Sequence, residues 1–279
     1  MAILLADSGA TKCEWCLTGS KKQKKLVVTK GISPYFMNAG QIEALLRDEL
    51  LPSLQKTAVT KLFFYGTGMR NPDNVNMLKK SLRKVFPKAS VEINDDMVGA
   101  ARGLNGNKKG LTCNLGTGSF CVYYNGKTIS KRAPGIGYVL GDEGSGAYLG
   151  KKVLQYYLYN TFDDELKYKF EAKYKTDPVE ILENVYRKPF ANRYLASFSI
   201  FLSENRGHYM IENIIEDGLN DFFFNHLCKF NESWKLPIHF TGSIAYSFRD
   251  IINELCQSYQ FEKGKILKSP MQGLIEYHT

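Results

Sequence analysis

The chain has 279 residues, 44% hydrophobic and 23% charged, the balance of a globular protein that can bury a sizeable core. That length exceeds the usual single-domain size, so two lobes are expected. The net charge of +9 comes from Lys residues interspersed with Glu and Asp, which argues against a dedicated nucleic-acid surface.

Only Lys21-Lys22-Gln23-Lys24-Lys25 forms a basic run, and it lies between two strand-like segments, where a solvated hairpin tip is the expected reading. A modest basic excess also suits a phosphorylated ligand. No apolar stretch approaches the roughly 18 residues of a membrane span, and the N-terminus lacks the basic, apolar and small-residue order of a signal peptide. The expected location is cytoplasmic. The six Cys, at positions 13, 16, 113, 121, 228 and 256, are scattered as reduced, mostly buried thiols would be. Cys13 and Cys16 make a CxxC, but with no second CxxC and no nearby His a metal or redox role is not expected.

Ile3, Leu4, Leu5 and Ala6 form a continuous apolar run, the pattern of a strand buried on both faces, and Asp7 ends it. Gly9 permits a tight turn, while Ser8, Ala10, Thr11 and Lys12 surround it with hydroxyls, small groups and a cation. Two readings stay open for this stretch. It is a β-hairpin whose turn needs Gly and Asp, or a turn that holds a phosphate beside an Asp7-bound Mg²⁺.

Residues 25–30 are strand-like, and Gly31-Ile32-Ser33-Pro34-Tyr35 breaks them. Ile42, Leu45, Leu46 and Leu50 predict a helix over 41–54. A strand at 61–65 runs into Gly66-Thr67-Gly68, and the helix predicted over 74–86 is stopped by Pro87. The strand predicted over 89–93 closes on Asn94-Asp95-Asp96 before a small-residue helix over 97–104. Asp95 therefore sits at a strand-to-helix junction, where open α/β sheets place their chemistry. A helix N-cap accounts for it equally well.

Residues 105–110 are polar and turn-forming, the best candidate for a link between lobes. The pattern then restarts, with a strand at 111–115, the turn Gly116-Thr117-Gly118-Ser119, and a strand at 120–124 ending on Asn125-Gly126. Residues 135–146 are glycine-rich yet carry Ile136, Tyr138, Val139 and Leu140 between the glycines, unlike a flexible linker. They read as a ligand-shaping loop or as a long structural loop before the helix predicted over 147–160. Residues 163–233 are mostly helical by period, and their Tyr and Phe are expected in the core rather than on a stacking platform for nucleic acid. A short strand at 237–240 leads into Thr241-Gly242-Ser243 and a helix over 246–259. His208, His226, His239 and His278 show no metal-site spacing.

Asp7 to Lys12, Asn94-Asp95, Gly116 to Ser119, Gly141-Asp142-Glu143-Gly144-Ser145 and Thr241-Gly242-Ser243 occur in the order seen in the sugar kinase, heat-shock and actin superfamily. Within it the chain resembles the BadF/BadG/BcrA/BcrD ATPase family, most closely its N-acetylglucosamine kinase-like branch. The resemblance implies an α/β fold of two ribonuclease H-like lobes, residues 1–105 and 106–269, with a helix at about 270–279 returning to the first, and ATP and sugar bound in the cleft between them. It implies that Asp7 positions Mg²⁺, that Ser8, Gly9, Ala10, Thr11 and Lys12 with Gly116, Thr117, Gly118 and Ser119 hold the triphosphate, and that Gly242 and Ser243 flank adenine. It further implies Asp95 as catalytic base, and Ser33, Asp95, Thr117, Gly137 and Asp142 as sugar contacts.

The implied activity is ATP-dependent phosphorylation of an N-acetylhexosamine, at the 6-hydroxyl. ATP and an amino sugar or hexose are the implied partners, with no nucleic acid or membrane and with a homodimer compatible. An iron-sulfur-linked activator ATPase and a nucleotide-binding sensor that has lost turnover are the alternatives. Two departures leave the sugar open. Ser33-Pro34 stands where many relatives carry Asn-Pro, and Gly135-Ile136-Gly137 where animal enzymes carry Gly-Trp-Gly.

Overall fold

The computed structural model describes residues 2–9, 11–19, 24–55 and 57–279. They form two compact units, the first made of Met1–Lys108, Gly126–Ile129 and Ser269–Thr279, the second of Lys109–Asn125 and Ser130–Lys268. Among the described residues no helix is long and apolar enough to cross a membrane. Of the basic run, Lys21, Lys22 and Gln23 lie outside the described residues.

In chain order the first unit contains β1 (Ala2–Ser8), β2 (Lys12–Thr18), β3 (Lys24–Lys30), α1 (Ala39–Leu45), β4 (Val59–Gly66), α2 (Pro72–Val85), β5 (Ser90–Asp95) and α3 (Asp96–Asn105). The strands form one sheet in the order β3-β2-β1-β4-β5, antiparallel through β3, β2 and β1 and parallel through β1, β4 and β5. The continuous apolar run of β1 is explained by its place at the centre. Leu4 joins Trp15, Ile42 and Leu78 on one face, and Leu5 joins Cys16 and Tyr65 on the other.

The predicted 41–54 helix is not uniform. After α1 the chain takes a π-helical turn at Leu46–Leu50, with Leu51 N–H reaching Leu46 O, and then a 3₁₀ turn at Leu51–Leu54. Pro52 lacks the N–H that would continue the α ladder, and the helix changes pitch as it approaches that residue.

The second unit contains β6 (Lys109–Leu115), β7 (Ser119–Asn125), β8 (Ile129–Arg132), α4 (Gly137–Leu140), α5 (Gly146–Leu158), α6 (Asp164–Tyr174), α7 (Pro178–Tyr186), α8 (Ala191–Ser197), α9 (Ser199–Glu204), α10 (Tyr209–Asn225), β9 (Ile238–Thr241), α11 (Ser243–Ser247), α12 (Arg249–Ser258) and β10 (Lys263–Leu267). Its sheet runs β10-β9-β6-β7-β8, with β6, β9 and β10 parallel. The helix predicted over 246–259 breaks at the buried Phe248, and within the helical 163–233 stretch α8 and α9 are separated at the buried Phe198. Phe170, Phe201, Phe222 and Phe223 are also buried in this core. β10 has no counterpart in the sequence reading, because Lys-Gly-Lys-Ile-Leu carries too little alternation to register as a strand.

The last helix, α13 (Met271–His278), belongs to the first unit, where it lies against α3, β1 and β2. Leu274 and Ile275 enter the Leu5 face of the sheet.

Candidate active-site residues

In the first unit the residues singled out by sequence collect at the C-terminal ends of the parallel strands. Register places Ser8 beside Gly66 and Gly66 beside Asp95, so the ends of β1, β4 and β5 are level. This is the edge where open α/β sheets bind ligands.

The first turn is closed by Gly9 N–H donating to Lys12 O at 3.0 Å. Ser8 is fully buried, and its hydroxyl accepts from Ile32 N–H at 2.9 Å while its carbonyl accepts from Thr67 N–H at 3.2 Å. One serine thus ties three loops together and delivers Ser33 to the same edge. Ser33 is buried, and its Oγ has no hydrogen-bond partner among the described residues. Lys12 is exposed and paired with Glu14 at 2.6 Å. Ala10 lies outside the described residues.

Asp7 is partly buried, and its carboxyl is pushed up to about 7, first by desolvation and then by the Glu14 and Asp96 carboxylates, with Lys12 pulling the other way. A carboxylate held among others in a poorly solvated place is a natural partner for a cation. Among the described residues no group of three or more His, Cys, Asp or Glu could hold a metal unaided. That fits Mg²⁺, which takes one or two carboxylates and completes its shell with water and phosphate oxygens.

Asp95 caps α3. It is 8% exposed, and its Oδ1 accepts from Val98 N–H at 3.0 Å, so the N-cap reading of this residue holds. The cap fixes one oxygen, and with it the orientation of the whole carboxyl group at the helix N-terminus. Cys13 and Cys16 are buried in separate clusters on opposite faces of β2 and cannot converge on one metal.

The second unit repeats the arrangement around 116–119. Gly116 O accepts from Gly146 N–H at 2.8 Å and Thr117 O from Ala147 N–H at 3.1 Å, both at the start of α5. In a trans peptide the next N–H points opposite to the carbonyl, so the Thr117 and Gly118 amides are aimed away from α5. Outward-facing successive amides are what an anion needs. The Asp142 carboxylate accepts from Ser119 N–H and lies 3.0 Å, at Oδ2, from where a Cβ on Gly118 would sit. Burial nevertheless leaves its carboxyl above the usual range, with Glu143 adding to the rise.

Gly242 has φ +107°, and a Cβ there would lie 2.3 Å from Leu115 O, so only glycine fits. Ser243 begins α11 and is exposed. Gly137, φ +76°, is exposed in α4, where its carbonyl accepts from Gly141 N–H at 2.8 Å.

No protein-family model matches the chain, and no curated protein sequence does. Among solved structures, the proposed N-acetylglucosamine kinase of Porphyromonas gingivalis superposes with a TM-score of 0.94 at 36% identity, covering 99% of this chain and 98% of that one. The chain belongs to that family, within the sugar kinases of actin-like fold.

The fold of these kinases recurs at lower identity. A proposed N-acetylglucosamine kinase of Chromobacterium violaceum matches with a TM-score of 0.71 at 18% identity, covering 100% of this chain and 99% of that one. A ROK family glucokinase of Streptomyces griseus, crystallised with glucose and AMPPNP, matches with a TM-score of 0.55 at 14% identity, covering 99% and 98%. The two five-stranded α/β units are thus those of an actin-like kinase fold.

Several groups beside these residues act in ways that no sequence signal shows. Glu14 and Asp96 raise the Asp7 carboxyl, and His226 Nε2 lies 3.0 Å from Glu143 Oε2. The period of β2 shows Glu14 only as a strand residue, and nothing local to His226 marks its partner 83 positions away.

Proposed function

We propose that the protein is an ATP-dependent kinase that transfers the γ-phosphate to the 6-hydroxyl of an N-acetylhexosamine, N-acetylglucosamine first among them. The observation that carries this reading is the 36% identity to the Porphyromonas protein over 99% of the chain. Within the superfamily, the quoted motifs favour the BadF/BadG/BcrA/BcrD branch.

Phosphoryl transfer demands positioning and charge neutralisation more than covalent participation by the protein. The residues divide that work. The 8–12 turn and the outward-facing Thr117 and Gly118 amides of the Gly116–Ser119 turn hold phosphate oxygens, and Gly242 and Ser243 flank the adenine ring. Asp7 is the metal-side carboxylate; Mg²⁺ bound there supplies the positive charge that polyphosphate requires. Asp95, oriented by its cap, accepts the proton of the sugar hydroxyl as the O–P bond forms. Ser33, Thr117, Gly137 and Asp142 line the sugar. The buried, unpartnered Ser33 hydroxyl supports that assignment, because a polar ligand group would satisfy it.

The test is purified protein with Mg·ATP against a panel of hexosamines and hexoses, following ADP release and sugar phosphate together. N-acetylglucosamine is expected to give the highest kcat/KM. Transfer to no sugar of the panel sinks the proposal.

A further inference from the structure

Gly218, Phe222 and His226 are spaced four apart along α10 and its C-cap, and so fall on one helix face. The 141–146 loop is seated on that face. Gly144, φ +69°, lies so close that a Cβ there would be 2.9 Å from Phe222 Cβ and 3.5 Å from Gly218 O. Leu149, on the first turns of α5, presses on Gly218 in the same way, 2.4 Å from where its Cβ would be. His226 closes the contact. Its ring stacks on Phe222 with centroids 4.9 Å apart, and its Nε2 lies 3.0 Å from Glu143 Oε2, with side chains only 7% and 15% exposed.

Facing a carboxylate acceptor, Nε2 carries the proton, and among the described residues Nδ1 has no partner. The bond is therefore specific to one ring nitrogen. What it anchors is the neighbour of Asp142, a non-glycine residue at φ +57°. Left-handed backbone costs Asp less than most side chains but more than Gly, so surrounding contacts help to hold it. Asp142 in turn accepts Ser119 N–H and touches the Gly118 position.

We propose that His226 is a positioning residue: through Nε2–H and Glu143 it holds Asp142 in its left-handed conformation, and through Asp142 it sets the amides of the Gly116–Ser119 turn for nucleotide phosphate. The inference rests on reading that turn as a phosphate site. It adds a residue about 80 positions from the loop it controls, on a helix that sequence assigns only to the core.

Three variants of the full chain separate the nitrogens. A Gln amide nitrogen reaches the place of Nε2, an Asn amide nitrogen reaches that of Nδ1, and Ala reaches neither. ADP affinity measured by calorimetry is expected to stay within about threefold of the parent in His226→Gln and to weaken about tenfold or more in His226→Asn and His226→Ala, as loss of a charge-assisted hydrogen bond implies. A merely structural histidine would not rank Gln above Asn. Amide exchange at residues 117–119, without nucleotide, is expected to follow the same order.

Parent-like ADP affinity and exchange in His226→Ala, or equal loss in all three variants, overturns the proposal. If the parent protein binds no ADP, the reading of the turn fails, while the exchange experiment still decides whether His226 holds it. Should His226→Ala not fold, Glu143→Gln against Glu143→Met makes the comparison from the other partner. Gln keeps an acceptor for Nε2–H and Met does not, so equal exchange in the two also overturns the proposal.

Discussion

Gly103 of α3 and Gly273 of α13 meet backbone against backbone: a Cβ on Gly273 would lie 1.8 Å from Gly103 O. The same crossing puts a Cβ on Gly103 2.7 Å from Pro270 O. Two helices approach this closely only where neither carries a side chain. Since α3 is the helix capped by Asp95, the C-terminal ten residues help fix the element that carries the proposed base.

Gly273→Ala is accordingly expected to destabilise the protein by roughly 2 to 4 kcal/mol, as overpacking against rigid backbone does. Thermal unfolding monitored by circular dichroism should show a lower Tm. Gly106→Ala gives the contrast, because nothing lies within 4 Å of its Cβ position and only its φ of +61° opposes the change. A Gly273→Ala Tm equal to the parent's would mean that the two helices do not pack as described.

Asp95 caps α3 and is the proposed base, and Asn separates the two roles. Asn caps helices about as well as Asp, so Asp95→Asn should leave Tm nearly unchanged while removing the proposed acceptor of the hydroxyl proton. A fall in kcat of roughly 10² to 10⁴ is expected, with ADP affinity unaltered. Asp95→Ala should show the same kinetic loss together with a stability loss of about 1 kcal/mol from the missing cap. Full transfer activity in Asp95→Asn removes Asp95 as base.

Sequence shows the strands that carry the turns because each is marked twice, by an apolar run and by the Gly or Asp that ends it. β1, β6 and the 116–119 turn are of this kind. Asp95 was legible as a junction residue because a strand period gives way to a helical one beside it. The bracing of the turns was not legible. Asp142 reads as a loop carboxylate, yet its oxygen is occupied by Ser119 N–H, and the tie from Ser8 at the end of β1 to Ile32 in the loop after β3 joins segments that local pattern cannot register against each other. The π turn at Leu46–Leu50 was hidden because Leu45, Leu46 and Leu50 satisfy helical spacing whatever the pitch.

The Asp7 carboxyl, raised from 3.8 to about 7, makes stability fall with rising pH. Below pH 3.8 both folded and unfolded chains carry the proton and the contribution is fully present. Between about 4 and 7 only the folded chain retains it, and above 7 the contribution is lost. One pH unit corresponds to about 1.4 kcal/mol, which solvent screening at this partly exposed site reduces to a total of roughly 1 to 3 kcal/mol. Asp7→Asn cannot ionise. Urea titrations should therefore show it gaining stability on the parent between pH 4 and pH 8, and an unchanged difference between the two proteins would contradict the burial of this carboxyl.

His278 predicts the opposite slope. Its ring stacks on Phe63 with centroids 3.8 Å apart, and its Nε2 lies 2.7 Å from Tyr65 Oη; since that oxygen already accepts from Arg102 Nη1 at 2.9 Å, the hydroxyl proton is left for an unprotonated Nε2. Desolvation, followed by the Arg102 charge, lowers the imidazole to about 4. Above the ordinary value of 6.5 both states are neutral and the contribution is complete; as pH falls from 6.5 towards 4 the unfolded chain takes up the proton first, and stability drains away. His278→Phe keeps the stack on Phe63 but cannot take up a proton, while leaving Tyr65 Oη without this acceptor. It should be less stable than the parent at pH 8, because the hydrogen bond is gone, and should lose less stability between pH 7 and pH 5. Urea titrations at those three pH values check both halves. Parallel pH profiles for the two proteins would mean that His278 enters the acid transition with an unperturbed imidazole.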